Sequence, residues 1–180
     1  ADYQKASALL DAIVAKGGKN AAAAASQKAY VDRLYAASGA ADCGQMDQMY
    51  ASVVAESASD IEKLGSIMKL YRRLGCTESD VYFAAAEHAH KLQPTSESAA
   101  GCAQMCIKKE DYAGAVEYYK QALTMVDNDE DKADYLYRLA NVYVAMKNYQ
   151  QGAAVAQQAL DVNAEDGRCY LLLGICYASA

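Results

Sequence analysis

The side chains most able to do chemistry are two histidines, six cysteines and a short acidic run. His88 and His90 stand two residues apart in a helical stretch. They therefore project about 200 degrees from each other and cannot share a metal or a proton. The cysteines, Cys43, Cys76, Cys102, Cys106, Cys169 and Cys176, include no zinc-type pair spaced C-x-x-C. Cys102 and Cys106 fill apolar helical slots and read as small core hydrophobes. Cys43 opens one helical stretch and Cys76 follows Gly75, so both lie at boundaries where neighbouring units can meet. They read either as a disulfide, expected only in an oxidising compartment, or as two thiols, because an even count allows pairing without requiring it. Asp127, Asp129, Glu130 and Asp131 resemble part of a calcium loop without its central Gly and terminal Glu, and read as a solvated loop. With no H-E-x-x-H, no nucleotide-binding Gly-rich loop and no G-x-S-x-G, the sequence predicts no catalytic residue, no metal and no cofactor.

The elements that must position these residues are helices. Apolar residues recur at three- and four-residue steps, as in Leu9, Leu10, Ile13 and Val14, or Leu136, Leu139, Ala140 and Tyr143, and no comparable period-two run occurs. Ala makes up roughly a fifth of the 180 residues and there is a single Pro, a balance that favours helix. Breaks at Gly17-Gly18, Gly39, 58–60, 75–79, 93–96, Glu110, 127–130, Lys147-Asn148 and 163–166 divide the chain into about ten helices. Ser79, Asp80, Thr95, Ser96, Asp111, Asn148 and Asn163 are the expected N-terminal caps. The fold class expected is all α, with short loops that make consecutive helices antiparallel neighbours.

Charge and hydropathy narrow the partners. Lys and Arg number 17 against 23 Asp and Glu, a net charge of −6, which argues against non-specific binding of nucleic acid or anionic lipid. No stretch approaches the roughly 18 apolar residues of a membrane-spanning helix. The chain starts at Ala1 with neither an initiator Met nor a signal segment, so a processed or trimmed piece is expected.

The helices repeat. Asp2-Tyr3-Gln4-Lys5-Ala6 returns as Asp111-Tyr112-Ala113-Gly114-Ala115 and as Asn148-Tyr149-Gln150-Gln151-Gly152. Leu10 and Ile13 match Tyr119 and Ala122, then Ala156 and Ala159, a face expected to meet the preceding helix. Leu136, Leu139, Ala140 and Tyr143 are echoed 34 residues later by Tyr170, Leu173, Gly174 and Tyr177. On these residues the stretch from Leu64 to Tyr177 resembles the tetratricopeptide repeat, with Tyr82, Ala86, Ala89 and Pro94 in helix B slots and Ala99, Cys102, Ala103 and Cys106 as small fillers of helix A. Residues 1–60 follow the pattern loosely and 61–180 more clearly, the chain ending mid-unit. The first helix reads as a helix B and the last, 165–179, as a helix A showing apolar Leu171, Leu172 and Ile175, as in a fragment of a longer array.

The resemblance implies a right-handed superhelix of helix pairs that binds another protein or peptide along its concave groove, without catalysis. Carried over slot by slot, the groove row is Lys69, Arg72, Arg73, Gln104, Lys108, Tyr137, Arg138 and Asn141, continued by Ile107, Val144, Arg168, Leu171, Leu172 and Ile175. This basic and amide-rich row implies an acidic or carboxylate-ending partner, with Tyr137 and the aliphatic residues as anchors. Two other roles fit the resemblance: a spacer or self-association module using open solenoid ends, and a regulatory arm of an enzyme whose catalytic part lies elsewhere. The irregular units around Cys43, Gly75-Cys76 and Glu97-Ser98-Ala99 resemble tetratricopeptide proteins of gut Bacteroidetes, many of them exported. That likeness implies the periplasm, where pairing of Cys43 with Cys76 would be natural, against a cytoplasmic alternative with six reduced thiols.

Overall fold

A computed structural model describes residues 2–179. Its helices are α1 (Asp2–Lys16), α2 (Ala21–Ala37), α3 (Cys43–Glu56), α4 (Ile61–Arg73), α5 (Asp80–Leu92), α6 (Ser96–Lys108), α7 (Tyr112–Met125), α8 (Asp129–Ala145), α9 (Tyr149–Val162) and α10 (Gly167–Ser179). No strand occurs among the described residues, and consecutive helices pack closely for α1 with α2 and from α4 to α10.

Local chemistry sets most boundaries. Ser79 Oγ accepts from the backbone N–H groups of Val81 and Tyr82, and Thr95 and Ser98 form a reciprocal capping box at the start of α6. Asp111, Asn128 and Asn148 cap α7, α8 and α9 in the same way. At α10 the expectation is corrected. Asp166 receives the Arg168 N–H, whereas Asn163 is the C-terminal cap of α9, so the helix opens at Gly167. Glu110 and Lys147 both adopt φ of 59°, and in each case the next residue's N–H returns to a carbonyl five residues back, Asp111 to Cys106 and Asn148 to Tyr143. The same left-handed turn therefore joins α6 to α7 and α8 to α9.

Packing is tightest from α5 onward. Gly101 of α6 lies so close to α5 that a Cβ there would stand 2.5 Å from Ala86 Cβ. One buried cluster joins α6, α7 and α8 through Ala103, Ala115, Tyr119, Leu139 and Tyr143, and another joins α8, α9 and α10 through Ala140, Ala156, Ala159, Cys169 and Leu173. Cys102, Cys106, Cys169 and Cys176 are all buried free thiols. In the helix B slots Tyr119, Ala122, Ala156 and Ala159 are fully buried, but Ile13 is 40% exposed. Among the described residues no helix packs on that side of α1, so its face lacks the neighbour the repeat supplies elsewhere.

The first half is held differently. Cys43 Sγ is bonded to Cys76 Sγ with the two Cα atoms 5.3 Å apart, joining the start of α3 to the turn after α4. Gly75, at φ 71°, makes that turn, and the Cys76 N–H returns to the Tyr71 carbonyl. Asp47 of α3 accepts hydrogen bonds from the Tyr71 and Ser79 hydroxyls, tying α3 to α4 and to the cap of α5. The α3 backbone lies close to few residues of α2 and α4, while its Met46, Tyr50 and Val54 side chains are buried in a cluster with α4 and α5.

Candidate interaction surface

Most cations of the expected groove row are occupied within the chain. Arg72 donates to Asp131 Oδ1 at 2.7 Å and lies 3.7 Å from Glu97, bridging α4, α6 and α8. Burial pushes the Glu97 carboxyl above its usual range, against the pull of Arg72. Asp131, expected in a solvated loop, instead sits in the first turn of α8 as the partner of a residue 59 positions away. Lys108 donates to Asp80 at 2.8 Å with its ammonium 5.4 Å over the Phe83 ring. Arg138 donates to Asp134 at 2.7 Å. Arg168 pairs with Asp166 and Asp134 while its guanidinium lies 4.4 Å over Tyr137.

Other members of the row diverge. Gln104 is buried, because α6 is walled by small residues and sinks between α5 and α7, and its Oε1 has no hydrogen-bond partner. Leu172 is also buried, leaving Leu171 and Ile175 exposed on α10. Asn141 donates to the Tyr137 carbonyl at 3.0 Å, and both side chains are half-buried. Lys69 and Arg73 are exposed on α4.

A large concavity lies upstream, among the first four helices. A cleft of about 880 Å³ opens between α2, α3 and α4, reached at one edge by α1. Its floor is apolar: Met49, Tyr50 and Val53 of α3 with Ile67 and Leu70 of α4. Its α2 wall carries Ala25, Ala29 and Arg33, spaced four residues apart on one helical face. Its rim is charged, with Lys28, Arg33, Lys63, Lys69 and Arg73 against Asp11, Asp32 and Glu56. Lys28 is spent within the chain, donating to Asp32 at 2.8 Å with Asp11 at 3.7 Å. Asp32 also accepts from the Tyr3 hydroxyl, and burial together with that carboxylate pushes the Tyr3 phenol up to about 12. Tyr3 stacks on Tyr35 with centroids 3.8 Å apart, fixing the α1–α2 hairpin along the cleft edge. Lys63 and Lys69 make no ion pair among the described residues.

A slot-by-slot transfer finds Lys69 and Arg73 of this cleft but misses Arg33, Lys63, Met49 and Val53. The readable signal is the α4 sequence itself, in which Lys63, Ile67 and Leu70 share one helical face and Ser66, Lys69 and Arg73 the next.

The tetratricopeptide repeat model matches residues 107–176, the stretch that holds both copies of the left-handed turn. Residues 107–176 are thus similar to the tetratricopeptide repeat. Over 67 residues the chain is 28% identical to Photosystem I assembly protein Ycf3 of Prochlorococcus marinus strain NATL1A and 30% identical to that of Parasynechococcus marenigrum strain WH8102. Each match covers 37% of this chain and 39% of the relative, so the likeness spans about two-fifths of the relatives' own length. Two crystal structures of MamA share the fold. One superposes with a TM-score of 0.61 at 17% identity, covering 75% of this chain and 78% of that one. The other reaches 0.60 at 14% identity, covering 98% and 83%. Among the described residues no helix is long and apolar enough to cross a membrane.

Proposed function

We propose that this chain is a non-catalytic scaffold that holds a segment of another protein along the inner row of its repeats. The observation that carries the reading is the presentation of Lys69 and Arg73 from α4, and of Tyr137 and Asn141 from α8, on a stack whose helices are fixed by buried Ala, Tyr and Leu contacts. A rigid wall of this kind lowers the ordering cost of capturing an extended segment. An acidic partner fits Lys69, whereas Arg72, Lys108 and Arg138 already face Asp131, Asp80 and Asp134 and have less to offer it. The Cys43–Cys76 bond supports an oxidising compartment.

The internal pairing dictates the test. Reversing Arg72 would set a new carboxylate against Glu97 and Asp131 and disturb the fold, so the useful variant is Lys69→Glu with Tyr137→Ala and Asn141→Ala. A protein captured from native extract by the wild type and lost by this triple variant, identified by mass spectrometry, is the expected result. Equal capture by both refutes the inner row.

A second reading rests on α10, where Tyr170, Leu171, Ile175 and Tyr177 are 57%, 69%, 41% and 72% exposed. An apolar face of this size can stack on a second copy. Sedimentation mass that rises with concentration, and falls to monomer in Leu171→Asp, is its signature.

A further inference from the structure

We propose that the cleft between α2, α3 and α4 is a receptor site for one amphipathic, acidic helix of another protein, which inserts as an extra helix between the first two hairpins. The proposal rests on the scaffold reading and specifies where one partner binds and what it looks like.

Size comes first. A cylinder about 10 Å across and about 11 Å long, two turns of helix with its side chains, occupies about 860 Å³. The cleft holds about 880 Å³. Its walls are themselves helices, and helix axes pack about 8–10 Å apart when ridges fit grooves. From α5 to α10 every consecutive pair packs closely, whereas the α3 backbone is sparsely met by both α2 and α4, and α3 is held by Met46, Tyr50 and Val54 in the buried cluster shared with α4 and α5 together with Cys43 and Asp47. The gap is therefore bounded by fixed anchors at the rear of α3, leaving its Met49 and Val53 side toward the opening. Ala25 and Ala29 keep the opposite wall low, so an incoming helix can approach α2 closely.

Chemistry then selects the occupant. An apolar floor flanked by cations is the complement of a helix with apolar residues at i, i+3, i+4 and i+7 and carboxylates beside them. The rim carries five cations against three acids in a chain whose net charge is −6, and Lys28 already satisfies Asp32 and Asp11. What remains for a ligand is a positive edge containing Arg33, Lys63 and Lys69, with Glu56 at one end. A basic helix would meet those cations at short range and be repelled.

The probe is a fluorescein-labelled 14-residue helical peptide with Leu at positions i, i+3, i+4 and i+7 and Glu at its flanks, beside a counterpart with every Glu replaced by Lys. Anisotropy titrations use the whole oxidised chain. The acidic peptide should bind saturably and the Lys peptide should not, and raising salt from about 50 to about 300 mM should weaken the complex. Lys63→Glu with Lys69→Glu should weaken binding about tenfold or more, and Met49→Asp should abolish it, while Lys132→Glu on α8 changes nothing. Met49 is only partly buried, and unchanged far-ultraviolet circular dichroism confirms that its variant is folded. Failure of the acidic peptide to saturate overturns the proposal, as does equal binding of both peptides or indifference to the cleft variants. A captured natural partner that is lost with Tyr137→Ala and Asn141→Ala, yet kept by the Lys63/Lys69 variant, also overturns the cleft while leaving the scaffold reading intact. Peptide binding that follows the cleft variants, with no partner dependent on Tyr137 and Asn141, refutes the inner row and supports the cleft.

Discussion

Replacing Cys43 and Cys76 together by Ala removes the covalent tie between the start of α3 and the turn after α4. The two residues are 33 positions apart, and the chain-entropy relation for a loop of that length gives about 3.7 kcal/mol at 25 °C. For a cooperative chain of this size that is a fall of about 7–15 °C in Tm. A stack of repeats concentrates the loss near the bond, since each unit contacts mainly its neighbours. Hydrogen exchange should therefore quicken first in α3 and α4, where broad helix packing is thin, while α7 to α9 keep most of their protection. Urea unfolding of oxidised wild type, reduced wild type and the double variant, each followed by exchange mass spectrometry, makes the comparison. Coincident midpoints for the oxidised chain and the double variant, or uniform loss of protection along the chain, would refute the argument.

Two further outcomes follow from local geometry. Gly101→Val must place a Cβ where Ala86 already stands at 2.5 Å and should cost about 1–3 kcal/mol through overpacking of α5 on α6, read as a lower urea midpoint with m unchanged. Hydrogen bonds from Arg168 hold the Asp166 carboxyl below its ordinary value of about 3.9, so its contribution to stability is present above that value and is lost as pH falls through the depressed folded one. Asp166→Asn should accordingly be less stable than wild type at pH 7 and converge with it in acid, and a constant offset at all pH values would show that charge is not the cause.

Helix positions were legible because the signals are local: Gly75 at φ 71°, the Ser79 cap and the capping box at Thr95 all act within four or five residues. The repeat phase was legible for the same reason, since small residues at Ala103, Ala115, Ala140 and Ala156 are what close helix packing requires. Pairing across the stack was not. Nothing near Arg72 announces Asp131, and nothing near Lys108 announces Asp80, because those contacts depend on how successive units rotate. Gln104 was misplaced on similar grounds: its slot faces a groove only where the neighbouring helices leave room, and the small residues of α6 let it sink. The α2–α3–α4 cleft lay hidden because it arises from the packing that α3 lacks.

The burial of four thiols beside one bridged pair bears on how the chain acquires its only bond among the described residues. Six cysteines admit 15 complete pairings, and thiol exchange proceeds through the thiolate. Burial pushes the Cys102 thiol up to about 12 and also raises Cys106, Cys169 and Cys176. At neutral pH a thiol near 12 is ionised about three-thousandfold less than an ordinary one near 8.5. Once the repeats have closed, these sulfurs are withdrawn from exchange, while Cys43, which is exposed, stays within an oxidant's reach and Cys76 is held at its side. Order of events thus selects the bond: packing of α5 to α10 before oxidation yields one product, and oxidation of the unfolded chain yields many.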